Sequence, residues 1–124
     1  MPDSSTPGRA WSRPVALNGT TTEHRTGCGP LFIIVNHDDK QVREVLCKLG
    51  KAGGCASAML ETVGRLISVG LQHGIPIEML EKQCSGVKCH QHQGEFIQCC
   101  VSHIGGRLKQ EIAAAAEVGN GISG

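Results

Sequence analysis

The chain has 124 residues, 40% of them hydrophobic and 19% charged, which bounds it to one globular domain with a modest core. Aromatic residues make up only 2% and Tyr is absent, so any core must be aliphatic. Twelve Lys and Arg against eleven Asp and Glu leave a formal charge of +1, and this near-neutral balance excludes nucleic acid and anionic membrane surfaces as expected partners.

Residues 1–22 are rich in Pro, Ser, Thr and Gly with scattered Arg, and read as a flexible tail ahead of a domain spanning residues 23–118. The one large apolar residue of that tail, Trp11 in "GRAWSRP", is either an anchor for a partner or an exposed bystander. The first residues carry no apolar signal core, and the longest apolar stretch is interrupted by Glu61, Arg65 and Gln72, too soon for a membrane span. A cytoplasmic protein is expected.

"LFIIVN" (31–36) is a continuous β-branched run, and in "VREVLCKLG" (42–50) Val45, Cys47 and Leu49 alternate onto one face. Two strands are predicted, joined as a hairpin across the polar "HDDKQ". Cys28 lies just ahead of the first of them. A helix follows from Cys55, with Met59, Val63, Leu66, Ile67 and Gly70 assigned to its apolar side and Glu61, Arg65, Ser68 and Gln72 to its wet side, stopped by Gly74. "IPIEMLEKQCSG" predicts a short second helix with Pro76 at its start and Gly86 at its end. "VKCHQHQGEFIQCC" is a Cys- and His-dense loop. A last helix is predicted from Val101 to about Val118, with Val101, Ile104, Leu108 and Ile112 on one stripe and Gly105 and Gly106 weakening its start. Residues 119–124 read as a disordered end. The fold class expected is α+β, a small β-hairpin or sheet packed on about three helices.

Seven cysteines are many for such a chain, and without a signal peptide metal ligation or redox chemistry is favoured over a disulfide framework. Cys28, Cys55, Cys89 and Cys100 all fall at element boundaries, where metal ligands and reactive thiols belong because loop backbone converges there and a helix N-terminus stabilises a thiolate. Their dispersed spacing lacks the paired knuckles of a zinc ribbon. Cys47 and Cys84 occupy apolar positions and read as core fillers. His90, His92 and His103 lie near the cysteines and are either alternative ligands or ordinary surface histidines. Adjacent Cys99 and Cys100 are either a redox-active vicinal pair or one structural and one incidental thiol.

Taken in order, Cys28-Gly29, then Gly50-Lys51 with Gly53-Gly54-Cys55, then Gly86-Val87-Lys88-Cys89 resemble the TSCPD domain, found at the C-terminal end of adenosylcobalamin-dependent (class II) ribonucleotide reductases and as small free-standing proteins. The resemblance runs from about His24 to Ala116 and takes in "GRLISVGLQHGIP", similar to the family's central helix. The motif that names the family falls on Gln98-Cys99-Cys100-Val101-Ser102, where the central Cys is kept and the Pro and Asp are not. The resemblance implies that Cys28, Cys55, Cys89 and Cys100 act as a set that binds zinc, with an iron-sulfur cluster the alternative for four thiolates. It also implies a class II reductase as partner, served by an accessory module. The large barrel and cobalamin pocket that such a reductase needs have no counterpart here, so no self-contained active site is expected. Within such a module Cys99 with Cys100, or Cys84 with Cys89, would serve as a dithiol relay; the competing expectation is a zinc-stabilised interaction module with no part in nucleotide reduction, or an iron-sulfur or thiol redox carrier.

Overall fold

The computed structural model describes residues 11–39, 41–50, 54–88 and 99–123, with side chains as far as residue 116. Three antiparallel strands, β1 (Asn18–Thr26), β2 (Gly29–Asp38) and β3 (Gln41–Leu49), form one sheet in the order β1-β2-β3. Three helices follow, α1 (Gly54–Gln72), α2 (Ile77–Cys84) and α3 (Cys100–Ser123). The architecture is α+β, as the sequence pattern leads one to expect.

β1 is the departure. Its residues 18–22 fall within the stretch assigned to a flexible tail, yet they pair in register with β2 from Asn18↔His37 to Thr26↔Gly29. Thr20, Thr21 and Thr22 are β-branched and suited to a pleated surface, and Gly27-Cys28 forms the turn into β2, so Cys28 sits in a hairpin loop between two strands. Trp11 is neither a free anchor nor a bystander. Its indole N–H donates to Asp38 Oδ2 at 2.5 Å, and the Arg43 guanidinium lies 5.5 Å from the ring centre, a cation–π contact. At the other end, α3 continues past Val118 to Ser123, into the stretch read as a disordered end.

The core is aliphatic. On one face of the sheet Leu31, Ile33 and Val35 of β2 stand in register with Leu49, Cys47 and Val45 of β3, and all six are buried. Leu60, Ile67 and Leu71 of α1, Cys84 of α2 and Ile104 and Leu108 of α3 close over them. Cys47 and Cys84 are the core fillers that their apolar positions imply.

β3 is an edge strand, and its outward backbone groups need partners. The Ser68 hydroxyl supplies them, accepting from the Val45 N–H at 2.9 Å and donating to the Val45 carbonyl at 3.0 Å. One turn further, Gln72 Nε2 donates to the Arg43 carbonyl at 3.1 Å. The helix comes this close because residue 64 is Gly: a Cβ there would lie 2.9 Å from the Val45 carbonyl oxygen. Ser68 and Gln72 therefore do not belong to the wet side of α1, while Met59 and Leu66, assigned to its apolar side, are exposed. Periodicity misplaces the stripe because two polar side chains are spent on the sheet edge. Glu61 and Arg65 do form the expected i,i+4 ion pair, at 3.0 Å.

Replacing Ser68 by Ala leaves both backbone groups of Val45 without their partner under a helix that excludes water, a cost of about 1–3 kcal/mol for a buried unsatisfied group. A drop of that size in urea-unfolding free energy is expected, against little change for Thr62→Ala on the exposed face.

Candidate functional site

One end of the sheet gathers the element boundaries. The β1–β2 turn is there, β3 ends beside it with Leu31↔Leu49 as the last pair, and the Gly50 N–H closes onto the Pro30 carbonyl at 2.7 Å. α1 begins close behind, at Gly54, whose φ of 75° lies in the left-handed region that favours glycine. α3 begins at the same end, tied to the sheet through Thr26.

Thr26 is buried and its hydroxyl is fully used. It donates to the Gly29 carbonyl at 2.7 Å, accepts from the Cys28 backbone N–H at 3.1 Å, and accepts from the Cys100 thiol at 3.3 Å. One side chain thus fixes the loop that carries Cys28 and the helix start that carries Cys100. Cys28 and Cys55 are exposed, and Cys99 and Cys100 are buried. Cys89, His90 and His92 lie outside the described residues, as does Gly53. Three of the four boundary cysteines are therefore at one end of the sheet. Among the described residues, no three or more His, Cys, Asp or Glu side chains are grouped closely enough to hold a metal ion. Their donor chemistry suits zinc, an ion that takes thiolate sulfur at about 2.3 Å.

The remaining thiols are of a different kind. Burial, then the nearby Cys84, pushes the Cys47 thiol up to about 12, and burial followed by the charge of Glu81 raises Cys84. Both stay protonated at neutral pH, so Cys84 is unsuited to a dithiol relay.

From Thr26 a polar seam runs down α3 along β1. His103 Nε2 meets the Arg25 carbonyl at 3.0 Å, and its ring centre lies 5.1 Å from that of His24, with the planes at 48°. His24 is held below the ordinary histidine value, first by burial, then by the charges of His103 and Arg107. Arg107 Nη2 donates to Thr20 Oγ1 at 3.1 Å and its Nη1 pairs with Glu111 at 2.5 Å. Glu111 also meets His37 Nε2 at 2.8 Å. Beyond this pair, at the far end of the sheet, a cavity of about 700 Å³ opens between apolar walls that include Leu71, Ile75, Ile77 and Ile112. Of these groups the sequence pattern singles out only His103. The rest become visible once β1 is recognised, because Thr20, His24 and Thr26 alternate onto one face of it.

The model of the TSCPD domain matches residues 5–112. The chain belongs to the TSCPD family. The match begins at residue 5, well ahead of His24, in keeping with β1 as part of the TSCPD domain. The family is associated with class II ribonucleotide reductases. No curated protein and no solved structure matches the chain. Among the described residues, no helix is long and apolar enough to cross a membrane.

Two outcomes follow from these side chains. In metal-free native protein iodoacetamide should label Cys28 and Cys55 within the time that leaves Cys47 and Cys84 unmodified, as peptide mass spectrometry will show. Burial pushes the Glu111 carboxyl up, but hydrogen bonds from His37 and Arg107 and their charges outweigh it and hold it below its ordinary 4.5. A depressed carboxyl contributes stability above 4.5 that is lost as pH falls through the folded value. Glu111→Gln should therefore be less stable at pH 7, and its urea midpoint should fall less steeply below pH 4.5 than that of the parent.

Proposed function

We propose that this TSCPD protein is an accessory module of a class II, cobalamin-dependent ribonucleotide reductase, with Cys28, Cys55, Cys89 and Cys100 holding a structural zinc. The observation that carries this reading is the family match over residues 5–112, together with the placement of Cys28, Cys55 and Cys100 at one end of the sheet. The chain itself performs no reduction in this proposal. Zinc ties the β1–β2 turn to the starts of α1 and α3, of which Thr26 by itself joins only the turn and the start of α3. Binding energy at such a site is also folding energy, since the ligands converge only in the folded chain.

A second reading is a zinc-stabilised interaction module without a role in nucleotide reduction. It is favoured by the exposed apolar residues Met59, Leu66 and Val69 on α1, which suit a protein partner, and by the loss of the Pro and Asp of the family's name motif.

Protein purified without added metal should carry one zinc per chain by elemental analysis. The zinc should shield Cys28 and Cys55 from iodoacetamide until a chelator is added. Cys28→Ser, Cys55→Ser, Cys89→Ser and Cys100→Ser should each lose zinc and stability, and Cys47→Ser should keep its zinc. The loaded protein should bind a class II reductase from the same cell at micromolar concentration. Zinc binding without reductase binding selects the second reading, and full occupancy in all four variants removes the zinc site.

A further inference from the structure

The His24–His103 pair plays no part in the four-cysteine set, and its hydrogen bonds decide which ring nitrogens are engaged. A carbonyl only accepts, so His103 Nε2 must donate to the Arg25 carbonyl, at 3.0 Å. Thr22 Oγ1 lies 2.8 Å from His24 Nε2 and 3.4 Å from the Ile33 carbonyl, so Nε2 is the engaged nitrogen of the His24 ring. His103 is thereby set as the Nε2–H tautomer, and in both rings the hydrogen-bonded nitrogen is Nε2, which leaves Nδ1 as the nitrogen open to a ligand. A ring nitrogen anchored to a backbone carbonyl or hydroxyl while the other stays basic is the arrangement that orients histidines for metal.

The spacing agrees. A metal about 2.1 Å from each Nδ1 lies about 3.2 Å from each ring centre, and a near-tetrahedral angle then sets the centres about 5.2 Å apart. The observed separation is 5.1 Å, with rings that cross at 48° instead of stacking. The charge of Arg107 is felt at His24 and is shared with the ion pair that Arg107 makes with Glu111.

We propose that His24 and His103 form a binding site for a divalent transition metal, coordinated through the two Nδ1 atoms, with water completing the shell. The site is separate from the cysteines and holds whether or not they bind zinc. It clamps the last residues of β1 to the first turn of α3, one step along the seam from Thr26. With two protein ligands and open positions, it is a site for a metal that exchanges, unlike a closed structural centre.

The test is zinc chloride titrated into the full-length, ¹⁵N-labelled reduced protein, already supplied with one equivalent of zinc, while the imidazole nitrogens are followed by long-range ¹H–¹⁵N spectra. Before addition, His24 and His103 should both show the Nε2–H tautomer. On addition, both Nδ1 signals should shift together and saturate. His103→Gln should abolish the His24 response, and Thr22→Val, which removes the oxygen that anchors the His24 ring, should weaken binding about 10- to 100-fold. Cys28→Ser should lose the thiolate zinc and keep the histidine response, which separates this site from the cysteine one. The opposite tautomer at either ring, Nδ1 signals that ignore zinc, or an unchanged His24 response in His103→Gln would each overturn the proposal. The tautomer and shift measurements on the parent protein decide it even if a variant fails to fold.

Discussion

The fold depends on how the edge of its small sheet is closed. An exposed edge strand presents unpaired N–H and carbonyl groups that invite another chain, and β3 meets this constraint through the Ser68 hydroxyl, which serves both backbone groups of Val45. Everything on the core face follows from that contact. With α1 pinned along the edge, Leu60, Ile67 and Leu71 come down on the aliphatic rows of β2 and β3, and Gly64 allows the approach. A chain with almost no aromatic side chains fills its interior this way, by bringing backbone close to backbone instead of by filling space with rings.

The opposite edge is handled differently. β1 has little apolar surface to offer, and α3 meets it through polar contacts, from Thr26 with Cys100 to Arg107 with Thr20. Such a seam is directional, since each hydrogen bond demands its own partner, whereas apolar packing tolerates sliding. It fixes the position of α3 along β1 and so brings Cys100 and His103 to the turn that carries Cys28.

The molecule therefore has two chemically distinct ends. Thiols and imidazoles collect where the β1–β2 turn and the starts of α1 and α3 meet, while an apolar cavity bordered by His37 and Glu111 lies at the other. In the proposal made above, the thiol end is the one that takes the metal. The cysteines that sit in the core are removed from that chemistry by burial, which keeps Cys47 and Cys84 protonated.

The sequence by itself determined the local features whose signal lies in neighbouring residues. β2 and β3 were legible in their β-branched runs, α2 in Pro76 and Gly86, the burial of Cys47 in its alternation with Val45 and Leu49, and the boundary positions of Cys28 and Cys55 in the glycines around them. The family, too, was legible in the order of those Cys and Gly motifs. What only the tertiary structure decided is what each polar residue faces. Ser68 and Gln72 look like solvent residues on a helical wheel, yet Ser68 is buried and Gln72 half-buried against a strand edge that periodicity knows nothing of. Residues 18–22 of β1 read as a tail because they are polar, and they become strand because β2 supplies a partner for every one of them. Thr26, His24 and Glu111 acquire their roles from residues more than seventy positions away along the chain. Hydrogen bonds over that distance leave no local pattern, since the free energy that selects them arises only when both elements have docked.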